Sequence, residues 1–181
     1  MIETGAVNQA ATQATKVREI VVGIDESDAS RLALIYAVEE AVCRQAPLRV
    51  VTAFESAGRF GDRYSIPIPV SDEEIARREE VATRKMVDEV LGAAESPPEV
   101  RIVVMTGATG PTLVEESRTA QLLVVGHRGR GELASVLLGS VGLYCVLHAH
   151  SPVLVVRPPT DTSDRTGAHT TAEKIRITSD S

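Results

Sequence analysis

The stretch Leu122-Leu123-Val124-Val125-Gly126-His127-Arg128-Gly129-Arg130-Gly131, followed by Leu138-Gly139-Ser140, decides how this chain is read. The apolar run has the look of a buried strand, and Val141 to His148 the look of a helix. Between them lies a basic, glycine-rich loop in which two residues separate Gly126 from Gly129 and nine separate Gly129 from Gly139. Strand, glycine loop and helix N-terminus together make an anion trap: glycines let the backbone approach closely, amides point inward, and the helix dipole favours negative charge. The expected donors to phosphate are the amides of Gly129, Gly139, Ser140 and Val141 and the Ser140 hydroxyl, with Arg128 and Arg130 as charged partners.

Working outward, the chain alternates strand and helix. Ile20-Val21-Val22 closed by Gly23 predicts a buried first strand, and Asp25-Glu26-Ser27-Asp28 a loop whose Ser27 caps the next helix. Ala33, Leu34, Ala37, Val38 and Ala41 fall at three-and-four spacing, which predicts an amphipathic helix over 29–45. Leu48 to Phe54 is a second strand. The Gly- and Pro-containing stretch 56–70 reads as a mobile loop. Ser71-Asp72-Glu73-Glu74 starts a second helix that runs to about Leu91, with Ala82, Met86, Val87, Val90 and Leu91 as its apolar face. Val100 to Met105 is a third strand, and a short helix with Pro111 in its first position ends near Ser117. Leu122 to Val125 and Val153 to Val156 complete five strands. The pattern predicts an α/β three-layer sandwich: a Rossmann-like, five-stranded parallel sheet with helices on both faces. Ligands in such sheets sit beyond the carboxyl ends of the strands, so Asp25 and Gly126 would face one crevice if strands one and four are neighbours. Residues 1–16 read as a flexible arm, 17–157 as the folded domain, and 158–181, rich in Thr, Ser, Asp and Arg, as a disordered tail.

Composition narrows the function. The 181 residues are ample for one core. Aromatics make up 3% and the net charge is -6, which argues against nucleic-acid and acidic-membrane binding. No stretch is long and apolar enough to span a bilayer, so the cytoplasm is the expected compartment. Cys43 and Cys145 read as two buried small hydrophobes rather than a disulfide. His127, His148 and His150 lack metal-ligand spacing, and no metal site is expected. No Gly-Lys-Ser/Thr loop, no Gly-x-Ser-x-Gly elbow and no acid–base pair occurs, so no catalytic residue is assigned. Asp25, repelled by phosphates, would instead accept from ribose hydroxyls or serve as a loop acid.

Three separated motifs agree with one family. Val21-Val22-Gly23-Ile24-Asp25-Glu26-Ser27, the glycine loop ending in Gly139-Ser140-Val141, and Ser151-Pro152-Val153-Leu154-Val155-Val156-Arg157 together resemble the universal stress proteins of the ATP-binding subgroup. The resemblance covers Ile20 to Arg157. It implies the adenine-nucleotide α-hydrolase-like fold and ATP, with or without magnesium, bound with ribose near Asp25 and phosphates on the Gly126–Ser140 loop. It places adenine near the second strand, against the backbone of Ala53, and adds Gly23, His127 and Arg130 to the nucleotide's surroundings. It also implies a homodimer through Val153 to Val156 and a regulatory output in the stress response, exerted on a protein partner the sequence does not name. The alternatives are a slow ATPase or phosphoryl-transfer enzyme, and a dimeric module for another adenine nucleotide such as a cyclic one. Departures from the family pattern are Glu26 where Gly is frequent, Gly142 where a hydroxyl residue often follows, and Gln121 where Asp is frequent.

Overall fold

The computed structural model describes residues 18–56, 70–94, 96–129 and 138–158. The expected N-terminal arm, the loop at 57–69 and the tail from 159 onward fall outside them. The elements are β1 (Ile20–Gly23), α1 (Asp28–Arg44), β2 (Leu48–Phe54), α2 (Asp72–Leu91), β3 (Val100–Thr106), α3 (Thr109–Glu116, followed by a single 3-10 turn), β4 (Leu122–Gly126), α4 (Ser140–His148) and β5 (Val153–Val156). The strands form one parallel sheet in the order β3-β2-β1-β4-β5.

Each helix begins as its local chemistry dictates. The Ser27 hydroxyl accepts from the Ser30 amide at 3.2 Å, and Ser71 does the same for Glu74. These side chains satisfy amides that no helical carbonyl can reach. In α1 the stripe Ala33, Leu34, Ala37, Val38 and Ala41 is buried, as its spacing predicts. It packs with α2's Met86, Val87 and Val90 over one face of the sheet. Leu113 of α3 and Cys145 of α4 pack over the other face with Val21, Leu123 and Val125. Two helical layers therefore sandwich the sheet.

Two expectations need correction, and one further residue is buried. Cys43 is exposed, because α1 places it off the buried stripe; Cys145 alone is buried, and burial pushes its thiol up to about 11. α3 starts at Thr109, so Pro111 stands third, still within the first turn, where its missing N–H has no helical acceptor to lose. In α2, Thr83 joins the buried face because its hydroxyl is 2.8 Å from that of Thr52 on β2.

β1 pairs with both β2 and β4, in registers running from Ile20↔Leu48 and from Ile20↔Leu122. The chain runs outward from β1 through β2 to β3 and then crosses to β4 on the other side of β1, so strand order reverses at β1. The carboxyl ends of β1 and β4 consequently lie side by side, and the loops that follow them meet.

Candidate functional site

Gly126 ends β4 beneath the start of α1. A Cβ added to it would lie 2.9 Å from the Ala29 carbonyl carbon and oxygen and 3.1 Å from the Arg128 oxygen. Only glycine fits between two segments of main chain at that spacing. His127 then fixes the loop at both ends: its amide donates to the Val156 carbonyl at 2.8 Å, and its carbonyl accepts from the Gly139 amide at 2.7 Å. That second bond removes Gly139 N–H from the expected set of phosphate donors. Gly139 is instead the N-cap of α4 and supplies no side-chain cap. The amides of Ser140, Val141 and Gly142, which follow it, have no carbonyl acceptor within their own helix.

Asp25 approaches from β1. Its Oδ1 accepts from the Ser27 hydroxyl at 2.6 Å and the Ser27 amide at 3.2 Å, while its own amide donates to the Ser30 hydroxyl at 3.3 Å. Oδ2 faces Gly129, so close that a Cβ there would overlap it. Glycine at 129 lets the two loops touch across the crevice.

The result is a cavity of about 190 Å³ lined by Gly23, Asp25, Gly126, Arg128, Gly129, Gly139, Ser140 and Val141, all of which the sequence singles out, together with Ile24, Ser30, Thr109, Leu113, Val125 and Gly142. Ser30, Thr109 and Leu113 are the lining residues that the sequence reading does not name. For the last two the signal was the turn after β3, which also sits at a carboxyl strand end, where α3 begins. Gly23 admits α3: a Cβ at 23 would lie 2.6 Å from Leu113 Cδ1. Ala53 is on β2, two residues past the last β1–β2 pair, Gly23↔Val51, and is not in this lining. Arg130 lies outside the described residues.

His127 lines a second cavity, of about 660 Å³, with Glu26, Ser27, Asp28, Ala29, Leu32, Arg128, Gly129 and Pro158. Arg128 and Gly129 form the wall common to both cavities. Burial, with Arg128 and Arg157 nearby, holds the imidazolium form of His127 below the ordinary histidine range. Among the described residues no group of three or more His, Cys, Asp or Glu side chains is placed to hold a metal.

The sequence model of the universal stress protein family matches residues 16–157. The chain belongs to the universal stress protein family. The universal stress protein Rv2623 of Mycobacterium tuberculosis is 34% identical over 143 residues, an alignment covering 76% of this chain and 46% of that protein. This chain thus spans about half the length of the curated relatives it matches. The universal stress protein UspA of Lactobacillus plantarum superposes with a TM-score of 0.64 at 27% identity, covering 78% of this chain and 98% of that one. A universal stress protein solved in complex with cAMP matches with a TM-score of 0.52 at 23% identity, over 77% of this chain and 97% of that one. Like those neighbours, this member has the Rossmann-like α/β fold of the family. Among its described residues no helix is long and apolar enough to cross a membrane.

Proposed function

We propose that this universal stress protein binds ATP in the crevice between the β1 and β4 loops and acts as a nucleotide-dependent regulator in the stress response. The observation that carries the reading is the convergence of the uncapped α4 N-terminus with Gly126, Gly129, Ser140 and Arg128 on one cavity. Backbone donors and a cation at a helix N-terminus suit phosphate, and each hydrogen bond to a charged oxygen contributes about 1.5–3 kcal/mol. The cavity of about 190 Å³ is smaller than a whole nucleotide needs, so the ligand's remainder would extend along the loops. Asp25 then stands where ribose hydroxyls would donate to it, with adenine toward β2 and the backbone of Ala53. The solved neighbour holding cAMP supports an adenine nucleotide in this fold. Magnesium would arrive on the phosphates, whose oxygens are its usual ligands.

The same reading includes a homodimer formed along β5 (Val153 to Val156), location in the cytoplasm, and a protein partner that responds to the nucleotide state. β5 is a sheet edge, and the helices flanking it, α1 and α4, expose Ile35, Tyr36, Leu143, Val146 and Leu147. Turnover is not part of the proposal.

Isothermal titration of nucleotide-stripped protein with ATP, AMP and cAMP tests it. ATP binding in the micromolar range is expected, weakened tenfold or more by Ser140→Ala, the loss of about one charge-assisted hydrogen bond. Wild-type protein that binds none of the three would overturn the reading. Tighter binding of cAMP than of ATP would replace it with that of a cyclic-nucleotide module.

A further inference from the structure

His127 occupies an unusual seat. It is 9% exposed, and its Nδ1 is buried with no hydrogen-bond partner. Its main chain nonetheless carries the two bonds that hold the loop, to Val156 and to Gly139. A neutral ring tolerates an unpaired lone pair there. A protonated ring would present a second buried N–H whose one backbone acceptor, the Val156 carbonyl, it must share with His127's own amide.

The surroundings make that asymmetry directional. From the loop itself comes Arg128, and from the end of β5 Arg157; both repel an imidazolium. From the loop before α1 and from its first residue come Glu26 and Asp28, which line the same cavity of about 660 Å³ as His127. Asp25 lies beyond Gly129. α4 contributes no charged group near its start, which reads Gly139-Ser140-Val141-Gly142. The cavity offers the charged ring space and carboxylates; among the described residues the seat offers it one shared carbonyl.

We propose that His127 is a proton-sensitive positioning residue of the nucleotide loop, seated when neutral and released toward Glu26 and Asp28 when protonated. Release twists the residue whose carbonyl holds Gly139, so it disturbs the cap of α4 and the amides that follow. Acidification therefore loosens the phosphate-binding end of the crevice. The proposal rests on the nucleotide reading for its consequence but not for the movement itself. Linkage fixes the sign: a histidine held below its unfolded value stabilises the fold above that value, near 6.5, and the stabilisation is lost as pH falls below it.

Two measurements test it separately. The first follows the His127 ring nitrogens and the Gly139 amide by NMR from pH 8 to pH 5, in protein without nucleotide. A ring that titrates below the ordinary histidine range, with the Gly139 amide moving in step, is expected. A ring titrating at or above that range, or a Gly139 amide that does not follow it, overturns the proposal. The second measures ATP affinity over the same pH range in wild type, His127→Gln and the smaller His127→Ser. Wild type should weaken by up to tenfold per pH unit in the acid limb, the limit for one linked proton, and the variants should not. Parallel profiles in all three, or tighter wild-type binding in acid, overturn it. Failure of ATP to bind at any pH would sink the nucleotide reading, leaving the ring titration to decide on His127.

Discussion

Gly126 and Gly129 sit three positions apart and are expected to fail in different ways when substituted. At Gly126 a methyl group meets main chain on both sides, at 2.9 and 3.1 Å, and main chain cannot swing away. Gly126→Ala should therefore cost about 1–3 kcal/mol of folding stability, the usual penalty for overpacking, read from urea denaturation. At Gly129, among the described residues, the methyl meets only the Asp25 carboxylate, a side chain that can turn at the loss of its Ser27 bonds. Gly129→Ala should cost less stability than Gly126→Ala and weaken ATP as well. Equal stability losses in the two variants would contradict this division of roles. Glu26 shows the converse case. It adopts φ 64°, the left-handed region in which a side chain is strained by roughly 1–2 kcal/mol, which explains physically why glycine is frequent there. Against the larger chain entropy of glycine, Glu26→Gly should still raise stability by about 0.5–1 kcal/mol. It should also tighten anion binding, since one negative charge leaves the rim. A variant less stable than wild type would show that Glu26's interactions outweigh its strain.

At the scale of elements, legibility follows how local the physics is. The stripe of α1, the caps Ser27 and Ser71 and the apolar runs of β1 and β4 depend on neighbours in sequence, and they read correctly. Thr83 does not, because its burial depends on a hydroxyl 31 positions away on β2. Nor does the loss of the Gly139 amide as a phosphate donor, which depends on where the loop's two ends meet. Cys43 misled because a cysteine within an apolar helix reads as buried, whereas α1 turns that position outward. The Thr52–Thr83 pair is itself testable. Both side chains are buried, so Thr83→Val strands the Thr52 hydroxyl and should cost about 1–3 kcal/mol. Thr52→Val with Thr83→Val removes both polar groups and should recover most of that. A double variant as unstable as the sum of the single ones would mean that the hydroxyls do not act as a pair.

For the whole molecule, the question is what covers the β5 side. The sheet ends there on a four-residue strand, and α4 turns Leu143, Val146 and Leu147 outward at 48%, 49% and 67% exposure. A short apolar helix reads from sequence as buried all round, so this outward face is visible only once α4 is seen to be packed on one side. Curated relatives are about twice as long as the segment they share with this chain, so they have room for a second unit of the same size. In this chain a second copy would serve the same purpose, with edge pairing along β5 satisfying the exposed ladder and the α4 side chains supplying apolar area. A stable interface buries about 800 Å² per partner, more than a short strand provides alone, so the helix contribution should be decisive. Val146→Asp with Leu147→Asp changes only exposed positions and should leave the circular dichroism spectrum intact. Sedimentation velocity should then show a dimer for wild type and a monomer for the double variant. A wild type that sediments as a monomer at hundreds of micromolar would refute the homodimer. A dimer that survives both aspartates would move the interface away from α4.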